Sequence, residues 1–321
     1  LIRKAYFEHS SYIPLLEGAY LGWSQLEKQA NIQLYWPTGI AYFGEPQDAI
    51  IRGVKEAANR FSIPLESREF SQFKMPENFE CVFEPQAGFL SPERAISSLV
   101  DLARQKGAEI LENQQVLDWR YHKGEITVRT SENDFKAKKL IITAGAFVSE
   151  VLKLTVPMKV TRQYLAWAET KHHQLGDFPC WMISEKEHPG CLYGFPAGAG
   201  LAGPEGMKLG YHRLGDELRP DLPDGSAKEA DLLNGILKKY FVENLSVGEF
   251  KTCKYTYSPD DNFIVDTLSE FGNKVIVATG FSGHGFKFVP VIGEILADLA
   301  INKNTKHDID FLSLKRFNTT Q

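Results

Sequence analysis

The sequence predicts a mixed α/β protein with a second domain inserted in its middle, and three observations carry that prediction. Near the end, the β-branched run from Val275 stops at Gly280, and Gly283 and Gly285 follow. Phe288, Val291, Ile292, Ile295, Leu296 and Leu299 then recur at helical spacing, which reads as strand, glycine-rich turn and helix. Strand-like and helix-like segments alternate over the first part of the chain. The stretch from Val156 to Phe250 is instead rich in aromatics and short strands, with one helix near Ala230–Phe241, as an inserted domain would be.

The elements can be justified in order. Residues from about Ser10 to Ala30 suit an amphipathic helix capped by Ser10 or Ser11, with Ile13, Leu16, Tyr20, Trp23 and Leu26 on one face. Thr38–Gly44 reads as a short strand and Asp48–Phe61 as a helix. Ser91-Pro92-Glu93 opens another helix: serine as cap, proline in the first turn, then an acid; Gly107 stops it. Strands are expected at Glu109–Leu111, Val116–His122 and Glu125–Arg129, the last two joined across Lys123-Gly124. Leu140-Ile-Ile-Thr-Ala-Gly145 reads as a buried strand ending in glycine.

Composition narrows the function. With 321 residues, 43% of them hydrophobic, the chain can bury one large or two medium cores. A net charge of −5 without a dense Lys/Arg block argues against nucleic-acid partners. No apolar run reaches membrane-spanning length and no secretory signal opens the chain. Its start at Leu1-Ile-Arg-Lys-Ala-Tyr, without an initiator Met, suggests that a segment precedes it. Cys81, Cys180, Cys191 and Cys253 show neither a C-x-x-C pair nor zinc spacing, so no metal site is expected and a cytoplasmic location is.

Several residues have two local readings. The turn at Gly280, Gly283 and Gly285 is either a plain connection or a place where backbone N–H groups and a helix end meet a large anionic or electron-rich ligand. Cys253 alone reads as a small buried hydrophobe, though Lys254 could favour its thiolate if both point the same way. Lys287 is a solvated first-turn lysine or a cation kept, against the helix dipole, for a ligand. Lys208 and His212 share one face of a strand, with Gly210 leaving that face open.

Three segments taken together resemble one family: Lys208-Leu-Gly-Tyr-His212, Cys253-Lys-Tyr-Thr-Tyr-Ser-Pro-Asp-Asp-Asn-Phe-Ile-Val-Asp266, and Gly280-Phe-Ser-Gly-His-Gly-Phe-Lys287. In order and spacing they look like the monomeric sarcosine oxidase and N-methyltryptophan oxidase family of D-amino-acid-oxidase-like flavoproteins. The likeness runs from Leu1 to Phe311–Phe317. One departure is large, because the family's opening βαβ unit with G-x-G-x-x-G and an acidic ribose ligand is not in this sequence.

The resemblance implies an FAD-binding Rossmann-like domain, N-terminally incomplete, from 1–35, 90–155 and 253–321. It implies a substrate domain on a mixed or antiparallel sheet from 36–89 and 156–252. It makes Cys253 the covalent attachment point of FAD, with Gly280, Gly283, His284, Gly285, Phe286, Lys287, Val116 and Gly145 around the cofactor. Arg3 and Lys287 would bind the substrate carboxylate, and Lys208 would promote oxygen reduction. His212 would hold the amine, with Tyr193, Tyr255 and Met182 lining its pocket. The implied reaction is oxidative demethylation of an N-methyl or cyclic secondary amino acid by O2, in a monomer, giving formaldehyde and hydrogen peroxide. The other reading is a non-catalytic, cofactor-free truncated homologue or an amino-acid-binding module.

Overall fold

A computed structural model describes residues 1–154, 156–186, 190–198, 203–212 and 227–317. In chain order they form α1 (Tyr12–Ala30), β1 (Tyr35–Trp36), β2 (Ile40–Gly44), α2 (Ala49–Phe61), β3 (Glu80–Glu84), β4 (Phe89–Leu90) and α3 (Pro92–Gln105). Next come β5 (Val116–His122), β6 (Glu125–Thr130), β7 (Asp134–Ala137), β8 (Leu140–Ile142) and α4 (Val148–Val151). Then follow β9 (Lys159–Ala168), β10 (Cys180–Ser184), β11 (Cys191–Gly194), β12 (Met207–His212) and α5 (Ala227–Tyr240). β13 (Val247–Tyr257), β14 (Ile264–Leu268), β15 (Val275–Thr279) and α6 (Val289–Ile301) complete the fold.

The chain divides into two compact units. Among the described residues, one holds 1–98, 162–212 and 227–253, the other 99–161 and 254–317. This differs from the expected grouping of 1–35 and 90–98 with the later segments. Ile2 bridges Gly88, and the carbonyl of Leu34 accepts from Ser91 N–H at 3.0 Å. Ala5 packs in one core with Ile40, Tyr42, Val82 and Cys180. Those contacts tie the first segment to its sequence neighbours.

The first unit is built on a seven-stranded mixed sheet of order β13-β9-β12-β11-β10-β2-β3. One face packs Phe43, Trp181, Ile183, Leu192, Leu209 and Tyr211 against α5 residues Leu233, Ile236 and Leu237. On the other face Tyr42, Val82, Cys180 and Met182 pack with α2 through Ile51, Val54 and Ala58. The second unit has two three-stranded sheets, β14-β15-β8 and β5-β6-β7. Its core joins Ile126, Ile142, Ile264, Val275 and Val277.

Local signals were met unevenly. Asp48 caps α2 by accepting from Ile50 N–H at 2.8 Å. The β5–β6 hairpin turns at Lys123-Gly124, whose φ values of 47° and 87° are those a two-residue primed turn needs. Ser11, one of the two serines expected to cap α1, and Ser91 make no side-chain cap. Ser11 is already helical (φ −65°, ψ −13°), so its hydroxyl is not turned back on the first amides. The buried Ser91 hydroxyl has no hydrogen-bond partner, and only its carbonyl enters the helix, accepting from Ala95 at 3.0 Å. Glu109–Leu111 is not a strand: no described strand pairs with it, and Ile110 and Leu111 are exposed. β8 is shorter than expected and only partly buried, with Ile141 exposed.

Candidate active site

Alternation along β12 puts Lys208, Gly210 and His212 on one side of the seven-stranded sheet. The ladder sets Lys208 opposite Trp167, and Gly210 opposite Tyr193. Tyr193 in turn stands opposite Met182, and Met182 beside Tyr42. Paired residues in a ladder face the same way, so Lys208, His212, Tyr193 and Met182 share a surface, the one opposite the α5 core. Gly210 makes room there: a Cβ would lie 2.8 Å from the Tyr193 hydroxyl.

The Lys208 ammonium lies 5.3 Å from the Trp167 ring centroid and 5.6 Å from that of Phe195. Burial is the main influence on it and lowers its pKa; Glu93 and Cys253 oppose that shift and Lys251 adds to it. Lys251 lies 5.7 Å from the same indole. Cys253 follows two residues later on the same side of β13, half-buried and free. Burial pushes its thiol up to about 11, and Lys208 is the cation that pulls it back. Lys254 does not take that part. Consecutive strand residues face opposite sides, and the Lys254 ammonium lies 5.7 Å from the Phe147 ring.

Arg3 is buried, and its surroundings are fully specified. Nη2 donates to both Glu8 oxygens, at 2.6 and 2.8 Å, and Nη1 donates to the Ala5 carbonyl at 3.1 Å. The guanidinium lies 4.5 Å from the Tyr6 ring and 4.2 Å from that of Phe7. Burial works against its charge, but Glu8, Tyr42 and Tyr6 outweigh it and the pKa is raised. A planar fork already gripping a carboxylate is chemically suited to gripping another.

The remaining candidates lie in the second unit. β8 and β15 are parallel neighbours, so their carboxyl ends emerge side by side. Gly145 follows β8 with φ 54° and open space where a side chain would stand. After β15 the chain turns through Gly280 (φ 66°), Ser282 (φ 46°) and Gly283 (φ 78°). The turn is pinned by Ser282 N–H to the Thr256 carbonyl (3.0 Å) and His284 N–H to that of Phe281 (2.9 Å). Only glycine suits position 283, because its φ is left-handed and a Cβ would lie 2.0 Å from the Tyr255 ring.

His284 is buried 4.7 Å from Phe263, centroid to centroid. Phe286 begins a short 3₁₀ turn leading into α6, whose buried face (Val291, Ile292, Ile295, Leu296, Leu299) is the expected one. Lys287 is not a solvated lysine: it is 5% exposed and its ammonium donates to the His284 carbonyl at 2.7 Å. Val116 is exposed at the start of β5 rather than in a core.

Arg3, Met182, Tyr193, Lys208, His212 and Cys253 thus fall in the first unit. Tyr255, Lys287, Val116, Gly145 and the turn of Gly280, Gly283, His284, Gly285 and Phe286 fall in the second. Four further residues matter: Glu8 on Arg3, Trp167 under Lys208, Lys251 beside it, and Glu84 behind Arg3.

Comparison with known proteins identifies the family. A family profile described as FAD dependent oxidoreductase (DAO) matches residues 1–299. Monomeric sarcosine oxidase of Bacillus sp. (strain NS-129) is 33% identical, covering 98% of this chain and 85% of that protein. N-methyl-L-tryptophan oxidase of Yersinia pestis (strain Pestoides F) is 32% identical, covering 99% and 87%. Among solved structures, the open form of NikD, an unusual amino acid oxidase essential for nikkomycin biosynthesis, superposes with a TM-score of 0.83 at 22% identity, covering 94% of this chain and 82% of that one. L-proline dehydrogenase from P. horikoshii gives 0.84 at 18%, covering 99% and 86%; both show a shared fold. The chain belongs to the DAO family and is an FAD-dependent oxidoreductase.

Proposed function

We propose that the protein is an amine oxidase of the sarcosine-oxidase type, acting on N-methyl or cyclic secondary amino acids with O2 as the electron acceptor. The observation that carries this reading is the surface where the Lys208 ammonium, buried against Trp167 and Phe195, shares a strand with His212 and a sheet face with Tyr193 and Met182. The site suits FAD: side-by-side carboxyl ends of parallel strands are where nucleotide cofactors bind, and Gly145 leaves the space for close approach. Gly280, Gly283, His284, Gly285, Phe286, Lys287, Val116 and Gly145 would hold it, with Cys253 as its covalent anchor. FAD, when bound, would supply the two-electron acceptor, and O2 would be the oxidant that leaves as hydrogen peroxide.

The chain's own residues do the rest. Arg3 and Lys287 bind the substrate carboxylate; Arg3 exchanges Glu8 for it, keeping one guanidinium–carboxylate pair throughout. Tyr193, Tyr255 and Met182 give the amine an apolar, π-rich wall, and His212 orients its nitrogen. The substrate loses a hydride equivalent from the N-methyl carbon and a proton from nitrogen. Water then converts the imine to formaldehyde and the primary amino acid. Lys208 holds a positive charge where negative charge builds on oxygen, and its partly dry surroundings strengthen that interaction.

We assign the protein to the cytoplasm as a monomer; the location is in keeping with four cysteines that form no disulfide. Among the described residues no helix is long and apolar enough to cross a membrane. The test is product stoichiometry: one formaldehyde and one hydrogen peroxide per N-methyl amino acid consumed. Turnover without formaldehyde from an N-methyl substrate would refute the assignment.

A further inference from the structure

We propose that Glu84 is a positioning residue for the substrate carboxylate, fixing the peptide on which Arg3 rests. The inference builds on the reading of Arg3 as a carboxylate ligand. Glu84 is fully buried at the end of β3 and faces the same side of the sheet as Tyr42. Its carboxylate gathers three donors: Lys4 N–H at 2.6 Å, Ala5 N–H at 3.2 Å and the Tyr42 hydroxyl at 3.0 Å.

Each donor serves the same end. Ala5 gives its N–H to Glu84, and its carbonyl receives the Arg3 guanidinium at 3.1 Å. Before Arg3, Ile2 is held to Gly88 by two backbone hydrogen bonds of 2.9 Å. Position 88 has no room for a side chain, since a Cβ would lie 1.9 Å from the Trp36 carbonyl oxygen. Arg3 therefore stands between two clamps, one backbone bridge and one buried carboxylate. A buried carboxylate is a costly way to satisfy two peptide N–H groups, which turns normally satisfy with carbonyls. Glu84 does what a carbonyl could not: it ties the peptide after Arg3 to β2 as well, through Tyr42.

The test uses the flavin-loaded protein and Glu84→Gln, which keeps the shape but offers one acceptor oxygen to two peptide donors. Methylthioacetate, an acid without the reacting amine, probes the site through the flavin absorbance. We expect its Kd to rise about tenfold. KM for an N-methyl amino acid should rise similarly, while kcat/KM for a secondary amine lacking the acid group stays within about twofold. Amide hydrogen exchange at Lys4 and Ala5 should quicken without any ligand. Equal losses for the acid-bearing and acid-free amines would overturn the proposal, because a merely structural defect spares neither. So would an unchanged Kd while Arg3→Lys weakens binding. If Arg3→Lys itself leaves methylthioacetate binding unchanged, the underlying reading of Arg3 fails, and the inference with it. Should Glu84→Gln not fold, Tyr42→Phe removes one donor; about threefold weaker acid binding is expected, and no change overturns the proposal.

Discussion

Replacing Glu8 by Gln should tighten, not loosen, the binding of small carboxylates. Arg3 holds Glu8 through Nη2 contacts of 2.6 and 2.8 Å, and both side chains are at least nine-tenths buried. An incoming carboxylate gains the guanidinium only by displacing the one already there. At about 3 Å and an effective dielectric near 20 the gross attraction is roughly 5–6 kcal/mol. Much of it is recovered when a second carboxylate replaces the first. What Gln removes is the competitor's charge: a charge-assisted hydrogen bond is worth about 1.5–3 kcal/mol, so displacement should become easier by roughly 10- to 100-fold. The variant should also unfold at lower temperature, because the buried Arg3 loses its neutralising partner. Titration with methylthioacetate followed by flavin absorbance, beside thermal unfolding, reads both effects. A Kd that is unchanged or weaker would show that Glu8 does not occupy the substrate's place.

Other consequences follow from the same geometry. Lys208→Met should slow the return of electrons to oxygen by roughly two to three decades while barely changing anaerobic reduction by substrate, read by stopped flow; equal slowing would reduce Lys208 to a pocket wall. Cys253→Ser should release flavin on denaturation where the wild type retains it, as intact-protein mass spectrometry would show; release from the wild type would exclude covalent attachment. Partial burial raises the Asp260 pKa, but the Arg316 contacts at 2.8 and 2.9 Å outweigh it and bring it down to about 2. The unfolded chain therefore takes up that proton first as pH falls, so this contribution is present above about pH 4 and is lost between roughly pH 4 and 2. Because Asp260 is part-exposed, it amounts to about 1 kcal/mol after screening, and Asp260→Asn should flatten that stretch of the stability profile.

What the sequence made legible was local. The helix read over Asp48–Phe61, the Lys123-Gly124 turn and the buried face of α6 each depend on residues within a few positions, and each is where the pattern put it. Failures came where a distant partner decides. Residues 109–111 have strand-like side chains, but a strand exists only with a neighbour. Ser91 stands at the cap position in the sequence, yet its buried hydroxyl makes no hydrogen bond. In the site, Lys208 could be placed on a face with His212, but nothing local says that β9 and not another strand lies beside β12. Trp167 under the ammonium is therefore not legible in the sequence. The Arg3–Glu8 and Glu84–Ala5 contacts depend on a packed loop and on residues 79 positions apart. That Lys254 turns away from Cys253 is legible in the sequence, since adjacent strand residues face opposite sides.

Every assignment above depends on the chain oxidising a secondary amino acid through bound flavin. The most direct measurement is the flavin spectrum of the FAD-loaded protein, mixed without air with sarcosine, N-methyltryptophan, pipecolate and a glycated amino acid in turn. At least one of these should bleach the flavin, and admitting O2 should restore the colour with one hydrogen peroxide per flavin. Bound flavin that a full panel of secondary amino acids leaves oxidised would contradict it.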